Sequence, residues 1–153
     1  MKRSSEYEER RQHRRKEDIR REIRRIMMRY ADPQEGVAHE SYVEAMKRIL
    51  RIHMEVLMER GDFLSAFELV CAVFVQSGNQ ELSETDGEEL ARVCCACWEK
   101  VAFRGGSGVR LVMREWLSLH GTDGTVNALF EDHARTFYRQ LLEIEEAQAG
   151  SAA

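Results

Sequence analysis

Apolar residues recur at intervals of three and four along nearly the whole chain, and this spacing limits the fold more than any other feature of the sequence. Between Glu17 and Tyr30 they are Ile19, Ile23, Ile26, Met27 and Tyr30, one face of a helix whose opposite face is arginine. From about Ala38 to Arg60 the same rhythm is carried by Tyr42, Val43, Met46, Ile49, Leu50, His53, Val56 and Leu57, and Gly61 is placed to end that helix in the left-handed conformation. Asp62 can cap a third helix reaching Gly78. Its span Phe63–Val75 has only Ser65 and Glu68 as polar residues, so it is expected to be the most buried element. Val70, Val73, Phe74 and Val75 would also suit a strand, but no alternating partner segment exists to pair with it.

The rest of the chain continues the pattern. Thr85 and Glu88 stand in capping-box relation before a fourth helix carrying Leu90, Val93, Cys94, Cys97, Trp98 and Val101, which the glycines at 105, 106 and 108 should stop. A short fifth helix would hold Leu111, Val112, Trp116, Leu117 and Leu119. A sixth, capped by Thr122, Asp123 or Thr125, would hold Val126, Leu129, Phe130, His133, Phe137, Leu141 and Ile144. The expected fold class is all-α, a compact bundle or a short stack of antiparallel helix hairpins with about six helices. Its parts are a basic N-terminal arm and amphipathic helix at 1–30, an acidic helical domain at 31–147 and a disordered tail at 148–153. The 153 residues suffice for one hydrophobic core.

Charge divides the chain. Residues 1–30 hold twelve Lys+Arg against six Asp+Glu, or +6, and the remainder holds 11 against 21, or −10, giving the net charge of −4. Residues 1–16 have no aliphatic residue beyond Met1 to anchor them to a core, so this stretch is expected to fray. No apolar run approaches the roughly 20 residues that cross a bilayer. The four cysteines, with no secretory h-region ahead of them, fit a reducing, cytoplasmic setting.

The run Phe63-Leu-Ser-Ala-Phe-Glu-Leu-Val, then Phe74-Val-Gln-Ser-Gly-Asn79, Thr85-Asp86-Gly87, Cys97-Trp98 and Arg114-Glu-Trp116-Leu resembles the helical region of bacterial proteins that carry a SWIM-type zinc finger. The resemblance spans roughly residues 38–145 and implies an all-helical module. The finger itself needs a Cys-x-Cys pair followed by a Cys-x-His pair. Cys95 and Cys97 could supply the first pair, but no cysteine follows position 97, so that finger is absent and a nucleic-acid role inferred from it does not carry over.

No catalytic constellation stands out. Cys94, Cys95 and Cys97 diverge by about 100° per residue on a helix, which suits small core residues better than a tetrahedral cage. His13, His39, His53, His120 and His133 form no metalloprotease spacing. The acidic stretch Glu81, Glu84, Asp86, Glu88 and Glu89 lacks the ligand alternation of a calcium loop and serves helix capping instead. The Gly105–Gly108 stretch has no Lys-Ser/Thr partner for a phosphate. These absences describe a non-enzymatic interaction module without metal or cofactor, binding another protein or itself, with Met27, Met28, Tyr30, Met46, Met54 and Met58 as contact candidates. The residues expected to meet a partner are Arg10, Arg11, Arg14, Arg15, Lys16, Arg20, Arg21, Arg24 and Arg25. The alternative is nucleic-acid binding through the same arginines, opposed by the interleaved Glu17, Asp18 and Glu22, which allow i to i+4 pairing on a solvated helix.

Overall fold

A computed structural model describes residues 17, 18, 21, 24, 25, 41–120 and 123–152, the side chains of 150–152 excepted. The first helix, α1 (Tyr42–Glu59), begins where the Ser41 hydroxyl accepts the Glu44 N–H at 3.2 Å. It ends in a Schellman turn. Gly61, at φ 72°, donates to the Met58 carbonyl, and Asp62 N–H donates to Leu57, so the glycine takes the left-handed conformation expected of it. Asp62 then caps α2 (Phe63–Gly78) through Ser65 N–H, as the sequence suggests. Leu69, Val70 and Val73 lie within this helix and are buried on it, and no strand is present among the described residues.

Two caps differ from expectation. The third helix, α3 (Glu84–His120), is capped by the Ser83 hydroxyl accepting Asp86 N–H at 3.1 Å, not by Thr85. Gly87 lies in the first turn, where a Cβ would lie 3.1 Å from Leu129 Cδ2. The fourth, α4 (Ala128–Ala152), is capped by Asn127, whose side-chain oxygen accepts Phe130 N–H while its amide nitrogen donates to the Gly78 carbonyl. One side chain thus begins α4 and ties it to the end of α2. Asp123 instead closes a local turn onto Thr125 N–H at 2.9 Å. Helix α4 continues to Ala152, through the stretch expected to be a disordered tail.

The described residues hold four helices, not six. The expected first helix falls mostly outside them, although residues 17, 18, 21, 24 and 25 are helical. The expected fourth and fifth are one element, broken only at Gly106, whose φ of 83° and ψ of 179° are almost confined to glycine. The break is a reversal. Trp98 and Trp116 would lie about 27 Å apart on a straight helix, yet their rings are 5.5 Å apart. The glycines act as expected in stopping the helix, but no loop of several residues follows.

Antiparallel packing follows from these short connections. Tyr42 at the start of α1 meets Ser77 at the end of α2, 3.4 Å apart. Phe63 at the start of α2 lies against Gly105, so α2 opposes the first limb of α3 (84–105), and α1 runs parallel to that limb. The second limb (107–120) turns back beside it. The core centres on Trp98, fully buried among Phe67, Phe74, Trp116 and Phe137 at centroid distances of 4.8 to 6.4 Å. Such tilted and edge-on pairs add about 0.5–1.5 kcal/mol each beyond their burial.

Candidate functional site

Of the nine basic residues expected to meet a partner, Arg21, Arg24 and Arg25 are described. All three are helical and exposed, with Arg21 3.9 Å from Asp18. Arg10, Arg11, Arg14, Arg15, Lys16 and Arg20 lie outside the described residues, as do Met27, Met28 and Tyr30. The other methionines are inside: Met46 is fully buried, and Met54 and Met58 are 7% and 6% exposed. Met46 is therefore core filler, unavailable to a partner.

Met54 and Met58 have a second role. α1 and the first limb of α3 run parallel, and among the described residues a groove of about 640 Å³ lies along their seam. Its apolar lining is the buried Leu50, Met54 and Met58, with only Val93 and Cys97 half-buried, and its rims are charged: Arg51, Glu55 and Glu59 on α1, Lys100 and Arg104 on α3. At the end near the helix starts it runs into a second hollow of about 660 Å³ lined by Lys47, Glu84, Thr85, Glu88, Glu89, Arg92 and Val93. The seam is acidic at that end, where Lys47 is bonded to Glu89, and basic at the α3 rim of the other. The Glu89 carboxylate holds the Lys47 ammonium above its usual range. Sequence alone missed this groove, because it exists only once α1 and α3 are known to run side by side.

The cysteines occupy separate surroundings. Cys71 and Cys94 are buried in the core, and desolvation pushes both thiols well up. Cys95 donates to the His133 carbonyl at 3.8 Å, and burial raises its thiol to about 12. Cys97 lies at the groove, where burial raises its thiol and Lys100 opposes that rise. All four are free. Among the described residues no group of three or more His, Cys, Asp or Glu could hold a metal ion.

Beside Cys95, His133 Nε2 lies 3.1 Å from the Glu88 carboxylate, which also accepts from Arg92 Nε at 3.2 Å. His133 is the main cause of the lowered Glu88 carboxyl, followed by smaller contributions that include Arg92. Since Cys95 points to the backbone of His133 and its thiol is held protonated, Glu88, His133 and Cys95 make a helix-to-helix polar tie with no activated nucleophile. Arg110 is the other residue that sequence patterning overlooked. Only 7% exposed, it reaches back across the reversal and donates from Nη1 to the Ala102 carbonyl at 3.0 Å. An arginine four residues past the Gly105-Gly106 pair is the available signal.

Other apolar side chains are exposed singly or in pairs: Ile52 and Val56 one turn apart on α1, Phe103, Leu111 and Leu119 on α3. Scattered exposure of this kind is ordinary. Among the described residues no helix is long and apolar enough to cross a membrane. No family model, curated protein or solved structure matches the chain, so what can be said of its function comes from its own residues and their geometry.

Proposed function

We propose that this chain is a non-enzymatic helical interaction module, an adaptor or accessory subunit that takes a partner helix into the α1/α3 seam. The observation that carries this proposal is the seam itself: an apolar floor with two methionines between rims of both charge signs. An amphipathic helix laid in such a groove buries its apolar stripe on the floor and sets its flanking charges against the rims. Methionine adapts its shape to the occupant, since its chain is unbranched and its sulfur polarizable. The test is affinity capture from the native host with the full chain and with Val93→Glu, which puts a charge on the half-buried floor. A protein retained by the wild type and lost by the variant is the expected result; identical captured sets overturn the proposal.

The second function, nucleic-acid binding through the arm, is supported by one observation: Arg21, Arg24 and Arg25 project from a helix into solvent. Phosphate contacts by these residues predict a shift of RNA or DNA in gels that weakens steeply with salt, with a smaller log-log slope once the arginines are replaced by glutamine. A salt-independent shift, or none, excludes it.

A further inference from the structure

We propose that this chain also dimerises by exchange: Gly106 takes helical angles, α3 becomes one straight helix, and a second copy supplies the second limb and α4. The proposal is independent of the seam, because residues 41–105, which carry both of its walls, stay together in either form.

Little separates the two forms. Within α3 only Gly106 departs from helical angles, at φ 83° and ψ 179°. Rotation about that residue turns the hairpin into a helix of 37 residues, about 56 Å long. The reversed angles are nearly closed to any residue but glycine, whereas the helical ones disfavour glycine. Nothing wedges the turn: a Cβ at Gly106 or Gly108 would meet no atom within 4 Å.

The contacts across the hairpin are of a kind that a second copy can make. Arg110 donates to the Ala102 carbonyl at 3.0 Å, and the Trp98 and Trp116 rings lie 5.5 Å apart. Both pairs straddle nearly the same point, position 106 for the first and 107 for the second. Two straight α3 helices laid antiparallel and crossing there bring each of these residues to the same partner on the other chain. The exchanged α4 follows its limb. Its Phe137, 5.5 Å from Trp98 in the monomer, and its His133, 3.1 Å from Glu88, meet the same side chains of the second copy. Exchange of identical elements thus keeps the core and changes only the hinge.

The place where the two halves meet also suits a second copy. Gly105, Gly106, Ser107 and Gly108 fall at the crossing, and residues this small let two backbones approach closely. Leu64 and Phe103 are 43% and 53% exposed. Both lie at this end of the bundle, since Phe63 packs on Gly105. In the dimer the halves abut at this end, so exchange gives these side chains cover that the monomer lacks. Each half keeps one seam, and the dimer presents two such grooves to a bivalent partner.

The test uses the full chain. Wild type, Gly106→Ala and Gly108→Ala are unfolded in urea, refolded over a range of concentrations and sized by light scattering behind gel filtration. Alanine at 106 is strained in the reversal and favoured in the straight helix, which shifts the balance by roughly 30-fold or more per hinge. With two hinges, the dissociation constant of the dimer should fall by about a thousandfold. Gly108→Ala should leave it unchanged, because position 108 is helical in both forms. Distance separates exchange from surface pairing. With Cys95 and Cys97 replaced by serine, spin labels on Leu119→Cys should lie about 35–40 Å apart in the dimer, the axial rise from 119 to the crossing counted twice. A Gly106→Ala protein that folds, by its helical circular dichroism, and stays monomeric overturns the proposal. So does a dimer with another label distance, or one formed as readily by Gly108→Ala. Should Gly106→Ala not fold, the wild type decides: a dimer with that label distance after refolding at high concentration supports exchange, and monomer alone overturns it.

Discussion

The first limb of α3 has two unlike sides, one of packed aromatic rings and one of aliphatic and sulfur-bearing side chains. Toward α2, α4 and the second limb it presents Trp98, locked among Phe67, Phe74, Trp116 and Phe137 by rings at tilted or perpendicular angles. Toward α1 it presents Val93 and Cys97, which share a groove with Leu50, Met54 and Met58. Rigid aromatic surfaces accept few arrangements, so that side fixes the bundle. Aliphatic and thioether surfaces accept many, so the other side tolerates more rearrangement.

Emptying the aromatic side and reshaping the other is the strongest way to break this contrast. Trp98→Ala should cost about 3–5 kcal/mol, because it empties a fully enclosed site. Met54→Leu should cost less than about 1.5 kcal/mol, because its volume is nearly conserved on an adaptable wall. Urea titration of both variants checks this, and equal losses would erase the distinction. A smaller effect is expected at the reversal that builds the aromatic side. Gly106→Ala meets no atom within 4 Å, so its cost is the backbone strain of a residue forced to positive φ, about 1–3 kcal/mol. An unchanged midpoint would show that the reversal relaxes.

The smallest effect concerns the polar tie between α3 and α4, and it depends on pH. The Glu88 carboxyl is held below its ordinary value of 4.5, first by His133. A depressed carboxyl contributes stability in full above its unfolded value and loses it as the pH falls through the folded one. The thermal midpoint of Glu88→Gln should therefore lie slightly below wild type at about pH 6, and the gap should close toward about pH 3. A constant gap would assign the loss to packing instead.

Much of this fold is legible before any coordinates. Gly61 and Asp62 announce the first turn because a left-handed residue and a cap adjoin at one point. The helical rhythm outweighs the strand preference of Val70, Val73 and Val75 because the flanking segments share its period. Elsewhere local chemistry offers equal choices that only packing decides. Ser83 and Thr85 are both acceptable caps by type, and the helix begins at the first. Asn127, rather than Asp123 or Thr125, caps the last helix and also bonds the end of α2, while Thr122 lies outside the described residues. The number of helices was misjudged because three glycines suggest a loop, whereas one of them suffices to turn the chain. The seam was illegible, since its two walls lie about forty positions apart and neither differs in pattern from a core face.

The hinge at Gly106 also bears on how the molecule acquires its shape. Closing a loop costs entropy that grows with its length, and here the two limbs meet across a single residue. Contacts such as Trp98 with Trp116 join neighbours in the chain, a topology associated with fast folding. This hairpin is therefore suited to form early, giving α4 a surface to pack against.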